Sequence, residues 1–351
     1  MENRFRRILV RATNWVGDAV MSVPALQALH EHNPQARISI LARPWVAGVY
    51  GRESFCDEVI AYEAPRGWKG LREKRRVAAE LRSRRFDCAV LLQNAFEAAA
   101  LARVAGIPIR IGYDRDARGW LLTHPIPLPV AGEIPKHERF YYLELLKRAK
   151  LIPGYRQEDT IRLGGSASAA EKGRSLLRQA GFESAVIGVS PGAAYGGAKR
   201  WLPERFAEAG IALARARNAD VAVFGSKEEV AICQTVCERI ERSGVRCRNF
   251  AGATSLDRFV EMAAACALFL TNDSGAMHVA SALGVTTVVV FGATDDVATG
   301  PTGAWSRVVR HTVDCSPCLL RECPIDHRCM TGVTADQVID AAHSLVAIQG
   351  K

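Results

Sequence analysis

Short apolar runs alternate with amphipathic stretches along the whole chain. In the first half, runs of strand length lie at residues 6–13, 37–42, 57–62, 88–92 and 107–112. After the first run, Val20, Val23, Leu26 and Leu29 share one face of a helix that the spacing predicts over residues 19–30. The pattern then restarts, with strands predicted at residues 186–190, 219–225, 267–271 and 285–292. This alternation predicts α/β units, each with a parallel sheet covered by helices on both faces.

A change in composition separates the two sets of predicted strands. Residues 123–135 are rich in proline, which predicts an extended connection rather than a regular helix. Residues 151–168 contain proline, glycine and serine, and the domain boundary is predicted there. We therefore predict two doubly wound, Rossmann-like domains, at residues 1–165 and 166–333. A C-terminal helix within residues 334–351 can pack back on the first domain.

The composition is typical of a globular protein, and its net charge favours anionic partners. Hydrophobic residues make up 48% of the 351, but no apolar run approaches the roughly 20 residues of a membrane span. The basic N-terminus leads directly into the first strand without a cleavable signal, so we expect a cytoplasmic protein. A formal net charge of +9 favours nucleic acid, an anionic membrane leaflet or a phosphorylated substrate. Residues 66–85 carry most of the local excess, either as a solvated helix face or as a surface for anionic lipid.

The turn after the first strand, N-W-V-G-D at residues 14–18, is the first candidate site. Ligands of open parallel sheets bind at the carboxyl ends of the strands, where this turn lies. Asp18 can be an acidic residue that simply favours the start of a helix. Alternatively, it is a general base that faces a cleft between the domains and accepts the proton of an acceptor hydroxyl.

A second candidate is the stretch F-L-T-N-D-S-G-A-M-H at residues 269–278, where a buried strand ends in small polar residues and leads into a helix. The free N–H groups and the dipole at such a helix start favour an anion, typically a phosphate. Gly275 lets the backbone approach the ligand closely. The alternative is an ordinary N-cap by Asp273 or Ser274. The other strand-end turns of this chain favour the anion site.

Two more turns follow strands of the second half. The loop S-P-G-A-A-Y-G-G-A-K-R-W, residues 190–201, has small residues that let it lie close to a diphosphate. Lys199 and Arg200 can neutralise charge on a departing group, and the alternative is a flexible loop with a solvated basic pair. After the next strand, Glu228 and Glu229 either hydrogen-bond a ribose hydroxyl or complement a helix start.

Two common nucleotide-binding motifs are missing from the sequence. No G-x-G-x-x-G follows the first strand and no G-x-x-x-x-G-K-[ST] occurs, which disfavours a dinucleotide oxidoreductase and a P-loop NTPase.

Four of the ten cysteines are clustered, at Cys315, Cys318, Cys323 and Cys329. Their spacing is compatible with a structural zinc or an iron–sulfur cluster, and the alternative is four reduced thiols in a compact loop. Neither interpretation assigns the cluster to the chemistry.

Three segments together resemble a known family. N-W-V-G-D-A-V-M-S, S-P-G-A-A-Y-G-G-A-K-R-W and T-N-D-S-G-A-M-H occur in the order found in the lipopolysaccharide heptosyltransferases. The resemblance covers nearly the whole chain and is strongest to members that add the second heptose. It implies an inverting glycosyltransferase of the GT-B type, with two Rossmann-like domains facing a central cleft and no cofactor required for catalysis. The C-terminal domain would hold ADP-heptose, and the N-terminal domain the heptosyl-Kdo-lipid A inner core.

The resemblance also assigns residues. Asp18 falls on the position of the catalytic base, and Lys199 on the lysine that contacts the diphosphate. Glu229 is the expected ribose contact. The nucleotide-sugar motif falls on Asp273, Ser274, Gly275 and His278.

If the resemblance holds, the basic charge of the chain serves to bind the anionic acceptor and the anionic membrane surface. Asn94, Arg110 and Arg115 are candidate contacts for the phosphates and Kdo carboxylates of the acceptor. We expect a reversible, electrostatic association with the inner leaflet of the cytoplasmic membrane. A different inner-core acceptor, for the first or third heptose, is the alternative within the class. A nucleic-acid-binding protein is the alternative outside it, but Trp68 is the only aromatic residue in the basic stretch, so no nucleic-acid partner is expected.

Overall fold

The structure is a computed structural model that describes residues 5–63, 68–157 and 160–349. The chain forms two compact units, Met1–Asp159 and Thr160–Lys351. The predicted boundary, between residues 165 and 166, lies just inside the second unit. Parts of four predicted segments fall outside the described residues: 1–4 of the first domain, 66–67 of the basic stretch, 158–159 of the boundary and 350–351 at the C-terminus.

The described part of the first unit contains a six-stranded parallel sheet. Its strands are β1 (Arg7–Arg11), β2 (Arg37–Ala42), β3 (Glu58–Ala61), β4 (Cys88–Leu91), β5 (Ile109–Tyr113) and β6 (His124–Ile126). Its helices are α1 (Val16–His32), α2 (Pro44–Ala47), α3 (Trp68–Ser83), α4 (Phe96–Val104) and α5 (Arg139–Arg148). The strand order is β3-β2-β1-β4-β5-β6, and all neighbours are parallel. The order reverses between β1 and β4, the kind of position where such sheets bind ligands.

The second unit repeats this plan in its described residues. Its strands are β7 (Ala185–Ser190), β8 (Ala219–Val223), β9 (Cys247–Asn249), β10 (Leu268–Asn272), β11 (Thr287–Phe291) and β12 (Ser306–Arg310). Its helices are α6 (Ser166–Gln179), α7 (Pro203–Arg217), α8 (Val230–Arg242), α9 (Leu256–Ala264), α10 (Gly275–Ala282), α11 (Asp296–Thr299), α12 (Arg328–Thr331) and α13 (Ala335–Gln349). The order β12-β11-β10-β7-β8-β9, again parallel, reverses between β7 and β10.

The central strands form because their side chains are apolar on both faces. Every residue of β4, β8, β10 and β11 is buried. Helices cover both faces of a doubly wound sheet, so such strands appear in the sequence as continuous apolar runs. Of the edge strands, β3 was predicted, whereas three give a weaker signal: β9 and β12 were not predicted, and β6 lies within the predicted extended connection. Pro125 in β6 is tolerated because the strand is at the edge of its sheet.

The C-terminal helix α13 packs within the second unit. It contacts α7, β11 and β12. Val338, Ala342 and Leu345 recur at helical spacing and are buried in the core of that unit. This apolar stripe is taken up by the unit to which the helix belongs, and packing on the first domain stays a prediction.

Candidate functional site

The start of α10 lies at the carboxyl end of β10, one of the two strands at the reversal of the second sheet. Ser274 precedes the helix with an extended backbone, φ −152° and ψ 171°, and its side chain makes no capping hydrogen bond. Gly275 then opens the helix without a side chain, and His278 follows one turn later and is buried. The N-cap alternative is thus not realised by Ser274. The first N–H groups of α10 are the kind that bind phosphate.

The carboxylate of Asp273 joins two other loops to this turn. Lys199 Nζ donates to Asp273 Oδ2 at 2.6 Å, and Thr294 Oγ1 donates to the same oxygen at 2.5 Å. The side chains of Lys199 and Asp273 are only 14% and 4% exposed, so water screens their attraction weakly. Lys199 Nζ also lies 4.8 Å from the centroid of the Tyr195 ring. The structure therefore brings together residues that separate motifs predicted, and it adds Thr294, which the sequence did not indicate.

Asn272 fastens the glycine loop, residues 191–200, to the end of β10. Its Nδ2 donates to Pro191 O at 2.7 Å, and its Oδ1 accepts the N–H of Trp201 at 2.9 Å. Trp201 is fully buried and donates its Nε1–H to Val333 O at 3.0 Å. Both ends of the loop are therefore held by hydrogen bonds. The alternative interpretation, a flexible loop in which Lys199 is fully solvated, does not apply.

Glu229 lies beneath the same loop. The residue is buried, and its Oε2 accepts the N–H of Ser226 at 2.8 Å in a capping box. Its carboxylate is so close to Gly192 that a Cβ added there would lie 2.2 Å from Glu229 Cδ. Glu228 is exposed, and hydrogen bonds from its own backbone N–H and from Ser226 lower the pKa of its carboxyl. One carboxylate oxygen of Glu229 thus accepts a hydrogen bond at a helix start. The contact of Glu229 with the ribose of the donor stays a prediction.

The four clustered cysteines form no metal site. Cys315 is exposed and Cys329 is buried, and all four are free thiols. Across the described ranges, no group of three or more His, Cys, Asp and Glu side chains is placed to hold a metal ion. Burial raises the pKa of the Cys329 thiol, and the nearby Cys323 raises it further. The predicted zinc or iron–sulfur site at Cys315, Cys318, Cys323 and Cys329 is therefore not supported.

Asp18 is the third residue of α1 and is half-buried. The turn before it is held from two sides, because Arg11 Nη2 donates to Asn14 Oδ1 at 2.9 Å and Trp45 Nε1 donates to Asn14 O at 2.8 Å. Helix α5 packs against α1, and Glu138 lies just before α5. Desolvation raises the pKa of Glu138, and the negative charge of Asp18 raises it further. A second carboxyl group therefore shares the surroundings of the predicted base.

Asn94 follows β4 and belongs to a hydrogen-bond network that the sequence did not predict. Arg118 Nη2 donates to Asn94 Oδ1 at 2.8 Å, and Asn94 Nδ2 donates to Tyr141 OH at 2.7 Å. Arg118 is fully buried, its Nε donates to Tyr113 O at 3.1 Å, and burial lowers the pKa of its guanidinium. The network fixes the orientation of the Asn94 amide at the carboxyl end of the sheet.

Arg110 lies at the other end of the sheet. It is the second residue of β5 and pairs in register with Ala89, near the start of β4. Its Nε donates to Leu121 O at 2.7 Å, and its Nη1 donates to Ile107 O at 2.5 Å. The guanidinium holds backbone carbonyls there, and the acceptor role of Arg110 stays a prediction that its place in the strand does not support.

Arg115 lies beyond the carboxyl end of β5, beside a pocket of about 340 Å³. The pocket walls are Arg115, Tyr141 and residues of the segment 128–138. Arg115 is exposed, and its Nε is 3.6 Å from Asp116 Oδ1. Because Tyr141 also bonds Asn94, the predicted residues Arg115 and Asn94 lie on one continuous surface.

Helix α3 carries the basic charge predicted for this region. Part of that charge is paired along the helix, since Arg76 bonds Glu73 at 2.6 Å. Arg72 and Arg75 are exposed. In the part of the chain that the structure describes, no helix is long and apolar enough to cross a bilayer. The stretch thus combines a solvated, ion-paired face with exposed cations.

An aromatic patch, defined here as Phe96, Arg103 and Trp120, lies next to this helix. The Phe96 and Trp120 rings are 6.1 Å apart, and Arg103 Cζ is 5.9 Å from the Trp120 ring. Trp120 is 67% exposed, which is unusual for so large an apolar side chain. Helix α4, which carries Phe96 and Arg103, contacts α3. Exposed aromatic and cationic groups therefore adjoin each other on the first unit.

Comparison with known proteins assigns the family. The model of glycosyltransferase family 9 (heptosyltransferase) matches residues 74–328. The chain is 30% identical over 353 residues to lipopolysaccharide heptosyltransferase 2 of Salmonella typhimurium, an alignment that covers 98% of this chain and 99% of that one. The Escherichia coli protein of the same name is 32% identical over 310 residues, 87% of this chain and 88% of its own. The solved structure of Escherichia coli ADP-heptose LPS heptosyltransferase II superimposes with a TM-score of 0.83 at 28% identity, covering 98% of this chain and all of that one. The chain has the GT-B type of α/β fold and belongs to glycosyltransferase family 9, the heptosyltransferases.

Proposed function

We propose that this chain transfers L-glycero-D-manno-heptose from ADP-heptose to the heptosyl-Kdo-lipid A inner core of lipopolysaccharide, adding the second heptose. The names of its near full-length relatives, lipopolysaccharide heptosyltransferase 2 and ADP-heptose LPS heptosyltransferase II, support this substrate pair. The observation that carries the proposal is the contact of Lys199 with Asp273, beside the start of α10. That arrangement offers both a cation and backbone donors to a diphosphate.

The donor binds in the second unit. Its diphosphate lies against Ser274 and Gly275, where the N–H groups of α10 and the helix dipole favour an anion. Lys199 neutralises the charge that develops on the leaving ADP, so no metal is required for this task. Glu229 contacts the ribose through the carboxylate oxygen that the capping box leaves over. His278, one turn further along α10, belongs to the same donor-binding segment.

Asp18 acts as the general base. Its carboxylate takes the proton of an acceptor heptose hydroxyl while that oxygen bonds to the anomeric carbon of the donor. The bond from that carbon to the diphosphate oxygen breaks, ADP leaves with the electron pair, and attack from the opposite face inverts the configuration. Trp15 and Trp45 are exposed beside this turn and offer apolar faces to the acceptor sugar.

The acceptor is held by its negative charges. Its phosphates and Kdo carboxylates bind the surface that joins Arg115 to Asn94. Its lipid part stays in the inner leaflet of the cytoplasmic membrane, to which the protein attaches reversibly through α3 and the aromatic patch. The enzyme therefore works in the cytoplasm, at the membrane surface and without a nucleic-acid partner.

A series of acceptors of defined length tests the substrate assignment. ADP release from ADP-heptose is measured with Kdo-lipid A, with heptosyl-Kdo-lipid A and with the diheptosyl product. We expect heptosyl-Kdo-lipid A to give the highest kcat/KM. Preference for Kdo-lipid A or for the diheptosyl acceptor would instead assign the chain to the first or third heptose.

A further inference from the structure

Three hydrogen bonds join the Cys-rich segment, residues 315–329, to the part of the glycine loop that directly precedes Lys199. Arg321 O accepts the N–H of Ala198 at 2.9 Å, and Glu322 Oε1 accepts the N–H of Gly197 at 3.0 Å. His327 Nε2 donates to Ala198 O at 3.0 Å. Both polar groups of Ala198 are therefore bonded to this one segment.

The two glycines of the loop allow this close approach. A Cβ added to Gly196 would lie 2.2 Å from Arg321 O, and one added to Gly197 would lie 2.4 Å from Glu322 Oε2. Neither distance is compatible with a side chain unless the segment moves. The double glycine, which also suits proximity to a diphosphate, is thus required for packing against residues 321 and 322.

Tyr195 connects the segment to the Lys199 side chain. Its hydroxyl donates to Leu319 O at 2.8 Å. Lys199 Nζ lies 4.8 Å from the centroid of its ring, and Arg321 Cζ lies 5.2 Å from it. The position of the Lys199 ammonium is therefore fixed by the Asp273 carboxylate on one side. On the other side it is fixed by the Tyr195 ring, whose hydroxyl is bonded to the Cys-rich segment.

We infer that the Cys-rich segment positions Lys199 for the donor diphosphate, with Glu322 and His327 as positioning residues that act on the loop backbone. This inference rests on the proposed function. A lysine on a loop with fixed geometry loses less conformational entropy when the anion binds than one on a mobile loop. The segment that carries the four cysteines thus orders the loop for donor binding through its other residues.

Removal of one contact tests the inference. Glu322→Ala deletes the acceptor of the Gly197 N–H, while Glu322→Gln keeps an acceptor oxygen at the same position. We expect Glu322→Ala to raise the Kd for ADP and the KM for ADP-heptose about tenfold, and Glu322→Gln to restore both. His327→Ala removes a separate contact and should give a loss of the same kind. Asp326→Ala is the matched control, because this exposed carboxylate of the same segment bonds Arg328.

A double-mutant cycle separates positioning from general support of the fold. If Glu322 acts through Lys199, Glu322→Ala should change the Kd for ADP less than twofold in a Lys199→Ala background. An equal tenfold loss in both backgrounds, or no loss in the wild-type background, would overturn the inference. A wild-type chain that binds no ADP would overturn the proposed function instead, and the inference with it.

Discussion

Lys199 and Asp273 are 74 positions apart in the sequence, yet Lys199 Nζ lies 2.6 Å from Asp273 Oδ2 in a nearly buried ion pair. Thr294 bonds the same carboxylate oxygen. The pair fixes the ammonium beside the start of α10. In the proposed function, a diphosphate bound there meets an ordered cation, which lowers the cost of binding.

Lys199→Ala removes that cation and leaves Asp273 buried with Thr294 alone. Loss of one partner of a buried pair costs about 3 kcal/mol of unfolding free energy. We expect this destabilisation in chemical denaturation, together with at least a tenfold weaker affinity for ADP by calorimetry. Arg242→Ala, which breaks an exposed pair with Glu238, is the control and should change neither quantity appreciably. Unchanged ADP affinity in Lys199→Ala would remove Lys199 from the donor site.

Asp18→Asn keeps the size of the side chain but loses the proton acceptor. We expect normal folding and normal ADP affinity, with kcat lowered by about two to four orders of magnitude. Glu31→Gln changes an exposed carboxylate on the same helix and should leave kcat unaltered. Near-wild-type turnover by Asp18→Asn would contradict its role as the base.

Asn94→Ala and Arg110→Ala separate the two ends of the first sheet. Asn94 lies at the carboxyl end, in contact with Arg118 and Tyr141, so its loss should raise the acceptor KM and leave the donor KM unchanged. Arg110 bonds carbonyls at the opposite end, so its loss should lower thermal stability without a change in acceptor KM. Initial rates at varied acceptor concentration decide between them. The reverse pattern would restore Arg110 to the acceptor site and exclude Asn94.

Arg72→Gln combined with Arg75→Gln tests the membrane contact. Each exposed arginine near an anionic surface contributes about 1 kcal/mol, so the double variant should bind anionic vesicles about 30-fold more weakly. Sedimentation with vesicles of anionic and of neutral lipid measures this loss of binding. Added salt should reduce the difference between the wild-type chain and the double variant. Arg174→Gln with Arg178→Gln removes equal charge from α6 of the second unit as a control. Equal losses in both double variants would indicate a response to net charge rather than to α3.

The centres of both sheets and the edge strand β3 could be predicted from the sequence, whereas the edge strands β6, β9 and β12 could not. Strands such as β4 and β10 are buried at every position and give continuous apolar runs. The edge strand β12 has no fully buried residue and therefore lacks that signal. The packing of α13 also escaped prediction, because an apolar stripe indicates that a helix is covered but not by which unit.

The same limit applies to the candidate site. Strand-end motifs marked Asp18, Lys199 and Asp273, but no pattern could show that the last two are paired. Arg110 was chosen because of its charge, and the strand register shows that it lies near the amino end of β5 rather than at the carboxyl end. Arg118 was not singled out, because nothing in the sequence distinguishes this fully buried arginine from the exposed Arg115 nearby.

The most direct test of the proposed transfer is ADP release from ADP-heptose, measured with and without heptosyl-Kdo-lipid A, with the acceptor product followed by mass spectrometry. We predict that release depends on the acceptor and that each ADP formed is matched by one heptose added to it. ADP release at the same rate without acceptor, or the absence of any elongated product, would contradict the assignment as a heptosyltransferase of the inner core.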